Sequence, residues 1–167
     1  ISGIDLATTG ATRNGIRACS SNIKPHHYAM LEERLEFASR LVAIADKEGV
    51  AREKLFFDIA VQSAATDSES ALISLATVKA VKEAFDGVKT TCGLSNASFG
   101  LPKRVNINSA YLTCAIYNGL DSAIMDNTNA VYEMTAKAAE VIARPHKEIL
   151  KFLHLDEEVE KEAPQEI

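Results

Sequence analysis

Four polar residues in this sequence stand where chemistry could be done: Asp58, Asn96, Ser98 and Asp126. Asp58 closes a strongly apolar run after Phe56 and Phe57. A lone carboxylate there is costly unless it is paired or hydrogen-bonded. Asn96 and Ser98 follow a second apolar run, Val88 to Leu94, and the Asn96 amide can both donate and accept. Asp126 ends a third run, Ser122 to Met125. Each has a bland alternative. Asn96 could cap its own loop through the backbone. Asp58 could accept from loop amides at a strand end. Asp126 is open between a cap for Thr128 and a polar contact to a substrate. Ser95 reads as loop support, and Ser98 is open between loop support and a substrate contact. Arg104, near the start of a helix, is open between a ligand or partner contact and a solvated side chain.

The elements that must position these residues alternate strand and helix. A first strand is expected near Ile4 to Ala7, with a long polar loop from Thr8 to Lys24. Pro25 sits at a first-turn position. The helix from about His26 to Glu48 carries Leu31, Leu35, Ala38, Val42 and Ala45 on one face, and Gly49 stops it. Lys54 to Val61 is the second strand. Thr66-Asp67-Ser68-Glu69 has the capping-box pattern. The helix it opens places Leu72, Leu75, Val78, Val81 and Phe85 on one stripe, up to Asp86-Gly87. Lys89 to Leu94 is the third strand, followed by a helix from about Asn106 to Asn118 that Gly119 stops. Ser122 to Met125 is the fourth strand. A helix from about Asn129 to Ala143 follows, and Pro145 starts a last helix reaching about Leu155. Such alternation implies parallel pairing and right-handed crossovers. Parallel sheets keep their chemistry where the strands end at their carboxyl side, which is where Asp58, Asn96 and Asp126 fall.

Composition excludes several classes. The 167 residues are 47% hydrophobic and 25% charged, ordinary for a one-domain globular chain. A net charge of −5 argues against broad affinity for nucleic acid or anionic lipid. No apolar run approaches the ~20 residues of a membrane helix. No signal-like segment is visible, and Cys19, Cys92 and Cys114 are an odd, widely spaced set. Reduced thiols, two of them in core elements, and a cytoplasmic location are expected. His26 and His27 are neighbours that point apart on a helix, with no partner at ligand spacing, so no metal is expected. His146 and His154 read as surface residues. No nucleophile triad, phosphate loop or dinucleotide fingerprint is present.

One stretch carries more than composition. Gly93-Leu94-Ser95-Asn96-Ala97-Ser98-Phe99-Gly100-Leu101-Pro102, then Arg104, Asn108 and Gly119-Leu120-Asp121-Ser122-Ala123-Ile124, resembles the methyltetrahydrofolate:corrinoid methyltransferases. These are pterin-binding barrels that serve corrinoid proteins in acetogens and methylotrophs, related to the folate domain of cobalamin-dependent methionine synthase. The likeness is dense over residues 28 to 143 and weak before Pro25. It implies methyl transfer between N5 of tetrahydrofolate and the cobalt of a corrinoid (cobalamin) carried on a partner protein, in either direction. It also implies a homodimer of the complete barrel. In the family the motif asparagine, here Asn96, hydrogen-bonds N5, and an aspartate at the second strand's end, here Asp58, accepts from the pterin's amino group and ring N–H. Ile59 follows Asp58 where the family commonly has proline. The loop path beyond it is therefore open, and Gln62 becomes an additional polar contact. Arg104 would meet the folate tail or the partner.

By this resemblance the four units are expected to correspond to the C-terminal half of a (β/α)8 TIM barrel, over residues 1 to 155. Residues 156 to 167, with Asp156, Glu157, Glu158, Glu160, Glu162 and Glu166, are expected to be an acidic, flexible tail. The chain begins at Ile1, inside an apolar run, as a part of a larger barrel would. A half-barrel leaves two strand edges unpaired and an open core. The expectation is an open side near Val61 and Leu94, covered by a second copy or a complementary segment. Two rivals stand beside this reading. Dihydropteroate synthase shares the barrel but needs a basic residue at the mouth end of the third strand, and Lys89 opens that strand at the other end. The other rival is a non-catalytic pterin-binding or assembly module.

Overall fold

Four short strands lie side by side, all parallel, in the order of the chain. They are β1 (Ile16–Cys19), β2 (Leu55–Asp58), β3 (Lys89–Gly93) and β4 (Ser122–Ile124). The computed structural model describes the backbone of residues 16–19 and all of residues 31–143. Four helices accompany the strands: α1 (Leu31–Lys47), α2 (Ser70–Ala84), α3 (Arg104–Tyr117) and α4 (Ala130–Ala143). Cys19 and Asp58 are register partners, as are Asp58 and Thr91, and Gly93 and Ile124.

Register and pleat together sort the side chains onto two faces. Leu55, Phe57, Thr90 and Cys92 share the face covered by helices and are all buried. The Phe57 ring meets Phe37 of α1 with centroids 6.3 Å apart. Phe56, Asp58, Lys89, Thr91, Gly93, Ser122 and Ile124 share the other face. That face is only partly covered, and Ile124 on β4 is 53% exposed. The face is closed at Asp58 and Thr91, both buried, and opens towards β4. Val61 and Leu94, expected beside an open side, are both buried, because each has left the sheet and turned back into the core.

Several expected boundaries move for identifiable reasons. The strand at Ile4 to Ala7, the last helix from Pro145, the acidic tail and all four histidines lie outside the described residues. The Thr8 to Lys24 segment, expected as a loop, contains β1. Its four residues IRAC have too little pattern to stand out, and pairing with β2 makes them a strand. The second strand ends at Asp58 rather than Val61, since Ala60 takes a left-handed φ of 48° and turns the chain away. Helix α2 begins at Ser70, without a capping box. Thr66 Oγ1 donates to Ser63 O at 2.8 Å, and Asp67 Oδ1 accepts from the Glu69 amide at 2.9 Å. The Thr66 hydroxyl is thus turned to Ser63, and Asp67 takes the Glu69 amide that the box would use. The buried stripe of α2 is rotated as well. Leu72 is 69% exposed, while Ser70, Ser74 and Thr77 are buried beside Val78 and Val81. Buried hydroxyls need partners. Ser74 Oγ and the Tyr111 hydroxyl of α3 lie 2.9 Å apart, and Thr77 Oγ1 donates to Ile73 O at 2.7 Å. Cys92 is in the core, but Cys114 is exposed, so one of the two thiols expected in the core is on the surface. No described helix is long and apolar enough to cross a membrane.

Asp121 of the Gly-Leu-Asp-Ser motif has a structural role at the amino ends of the strands. Gly119 takes a φ of 100°, which L side chains rarely adopt, and turns the chain out of α3. Asp121 Oδ2 then accepts from the Thr90 amide at 2.7 Å and from Lys82 Nζ at 3.0 Å. Lys82 also donates to Val88 O at 3.1 Å. The group staples β3 to the start of β4 and to α2. Asp121→Ala is expected to lower stability by about 1–3 kcal/mol, the scale for leaving such donors unpaired. Lys82→Met should cost less, about 0.2–1 kcal/mol, because the pair is partly exposed. Urea unfolding of both variants checks the order, and a smaller loss for Asp121→Ala would contradict it.

Candidate functional site

The carboxyl ends of β2, β3 and β4 bring three polar loops to one rim. Asp58 is the last residue of β2 and is 7% exposed. Its Oδ1 accepts from the Ala60 amide at 3.0 Å. The adjoining backbone is tied down twice more. The Ile59 amide donates to Thr91 O at 3.0 Å, and Arg34 Nη1 of α1 donates to Ile59 O at 2.6 Å. Cys92 lies behind the rim, and burial, helped by the Asp58 charge, pushes its thiol up to about 12. It is an inert core residue.

Asn96 closes a 3-10 turn, Leu94–Asn96, directly after β3. Its backbone carbonyl accepts from the Phe99 amide at 3.1 Å. Its side chain is exposed and makes no hydrogen bond among the described residues. The amide instead folds back over Gly93, where a Cβ would stand 3.1 Å from Nδ2. The loop that carries Asn96 is well held. Ser98 is fully buried, and its Oγ accepts from Arg104 Nε at 3.1 Å. Arg104 Nη2 donates to Ser95 O at 2.9 Å. Arg104 is thus exposed yet engaged, clamping the loop to the start of α3.

The loops after β2 and β3 are joined to each other. The Ser63 hydroxyl donates to Phe99 O, and the Ala64 amide donates to Ala97 O at 3.3 Å. Gln62 is half-buried. Its carbonyl accepts from Ser70 Oγ at 3.2 Å, which ties the loop to α2. Phe99 projects 66% exposed from the joined loops.

Asp126 stands at the third loop as a cap. Its Oδ1 accepts from the Thr128 amide at 3.0 Å and from Thr128 Oγ1 at 2.6 Å. These bonds hold its carboxyl below the usual range. It also lines a cleft of about 210 Å³ between the starts of α3 and α4, with Ser95, Arg104, Asn108 and Tyr132. Asn108 Nδ2 donates to the Tyr132 hydroxyl at 2.9 Å. Of the residues singled out above, Ser95, Arg104 and Asp126 meet at this cleft. Asp58, Gln62, Asn96 and Ser98 do not line it.

Ser63 and Arg34 escaped the sequence reading. Ser63 carried no signal. Arg34 did, since it occupies a position between Leu31 and Ala38 on the buried stripe of α1, where a cation is out of place.

Parallel strands alternating with helices, with their polar loops gathered at one rim, define an α/β fold of the kind that carries sites at its strand ends. The sequence profile of the pterin binding enzyme family matches residues 13–126, and the chain belongs to that family. It is 32% identical over 99 residues to the methylcorrinoid:tetrahydrofolate methyltransferase of Eubacterium limosum, covering 59% of this chain and 36% of that protein. It is 33% identical over 102 residues to the methionine synthase of Mycobacterium leprae (strain TN), covering 57% of this chain and 8% of that protein. The chain thus spans about a third of the first relative's length and far less of the second's.

The packing of Asn96 against Gly93 yields a prediction. The backbone φ of −83° at Gly93 suits alanine, so Gly93→Ala should leave stability within about 0.5 kcal/mol. The added methyl should nonetheless displace the Asn96 amide. Its side-chain amide resonances, followed by NMR, are expected to move by more than those of Asn106. Unmoved Asn96 resonances would contradict the contact.

Proposed function

We propose that this chain carries part of the site of a methyl transfer between N5 of a tetrahydrofolate and the cobalt of a corrinoid held by another protein. The observation that carries the reading is Asn96. An amide free of described protein partners, set on a well-tied loop at the strand ends, is able to serve a ligand atom. The family resemblance and the named relatives support the substrate class.

Asp58 orients the pterin. The ring's amino group and adjacent N–H are two donors side by side, and a carboxylate accepts both. Asn96 meets N5. As the methyl group leaves, the amine left behind needs a proton or a strong hydrogen bond. A fixed amide at that atom stabilises the developing charge or the protonated state. No acidic residue neighbours Asn96 in the sequence, and the proton is assigned to water. Gln62 offers a further polar contact to the pterin. Ser98 acts through Arg104 to hold the loop, and Arg104 and Asp126 present their remaining surface towards the folate tail or the partner. The partner's corrinoid, when docked, supplies the metal that gives or takes the methyl group. No residue of this chain is assigned to hold it. The dihydropteroate synthase reading lacks its basic residue: Lys89 opens β3 at the far end, with Nζ 5.5 Å from the Phe56 ring centroid. The complete protein is read as a homodimeric barrel.

Two variants test the reading in the intact protein. Asn96→Ala should keep the fold and lower methyl transfer by about two orders of magnitude, the scale for a lost transition-state hydrogen bond. A near-normal rate would remove Asn96 from the reaction. Asp58→Asn replaces an acceptor with a donor facing donors, and folate binding measured by calorimetry should weaken by about 2–4 kcal/mol. Equal affinity would leave Asp58 as a loop cap alone and favour the non-catalytic reading.

A further inference from the structure

Arg34 is buried in α1 with 1% of its surface exposed. A guanidinium removed from water costs several kcal/mol unless its donors are engaged. One engagement is informative. Arg34 Nη1 donates to Ile59 O at 2.6 Å. That oxygen belongs to the peptide group whose N–H is Ala60's, and the same N–H donates to Asp58 Oδ1 at 3.0 Å. A single peptide unit is gripped at both poles, by a cation on its oxygen and a carboxylate on its nitrogen. Charge on the oxygen strengthens the N–H as a donor, since linked hydrogen bonds polarise one another. The grip also sustains an unfavourable backbone. Ala60 has a φ of 48°, a left-handed region that L-residues rarely occupy.

We propose that Arg34 is a positioning residue for Asp58. It fixes the Ile59–Ala60 peptide unit, and through that unit it fixes the direction of the Asp58 carboxylate. The inference rests on the reading of Asp58 as the pterin-orienting group. It also explains how a chain with Ile59, rather than proline, after the aspartate keeps its loop on course. Proline would set the backbone by its ring, and here a buried cation holds it from the side. A purely structural Arg34, packing α1 on the sheet, would affect stability without any special link to Asp58.

A double-mutant cycle on folate binding separates the two roles. Methyltetrahydrofolate is titrated into the intact wild-type protein, Arg34→Met, Asp58→Asn and the double variant. Arg34→Met is expected to weaken binding about tenfold, the equivalent of one hydrogen bond to a charged group. In the Asp58→Asn background the same change should weaken it no further. Wild-type affinity in folded Arg34→Met, or two losses that multiply, would overturn the proposal. If Arg34→Met does not fold, Arg34→Lys carries the same cycle with a smaller loss, about threefold, because lysine keeps the charge but not the reach. Hydrogen exchange of the Ala60 amide in ligand-free protein gives a readout independent of folate. Exchange there should quicken in either Arg34 variant while the Thr90 amide is unchanged. If the wild-type protein binds no folate, the pterin reading of Asp58 fails, and the Ala60 exchange decides whether Arg34 fixes the peptide unit. Unaltered exchange overturns the inference.

Discussion

Parallel pairing is the constraint on which the other features depend. With all four strands running the same way and Asp58 in register with Thr91, each strand delivers its last residues to the same rim. The connecting helices must then return the chain across the opposite face, which buries Leu55, Phe57, Thr90 and Cys92. The other face is left open towards β4, at Ile124. A sheet built this way separates stability from chemistry. The amino ends hold the Asp121 staple, and the carboxyl ends hold the polar loops.

The loops after β2 and β3 behave as one unit because they are tied to each other. Ser63 reaches Phe99, Ala64 reaches Ala97, and Arg104 holds both Ser95 and Ser98. Within this network the Asn96 side chain is left without a described partner while its backbone is fixed. A polar group so placed is pre-organised for a ligand, since the surrounding structure has already met the entropic cost of ordering it. Asp58 is treated differently. Its carboxylate engages its own loop, and the buried Arg34 sits on the far side of the same peptide group.

The strand and helix order, the gathering of Asp58, Asn96 and Asp126 at strand ends, and the glycine stops at Gly49 and Gly119 were legible in the sequence. Each rests on a local pattern: an apolar run, a stripe, a residue able to take a positive φ. What was not legible depends on contacts between distant segments. β1 is a strand only because β2 lies beside it. The α2 stripe includes Ser74 because Tyr111 offers a partner from another helix. The end of β2 is set by a bend at Ala60 that no local propensity favours. Arg34 could be noticed as a cation on an apolar stripe, but its target, a carbonyl 25 residues away, belongs to the fold.

The central claim is that Asp58 and Asn96 serve one pterin at a shared rim. NMR of the intact protein, labelled at backbone and side-chain amides and titrated with methyltetrahydrofolate, addresses it most directly. The largest shifts should fall on the Asn96 side-chain amide and the Ala60 backbone amide, with smaller ones over Gly93 to Ser98 and around Gln62. Saturation with both of those amides unmoved, or shifts confined to another part of the surface, would contradict it.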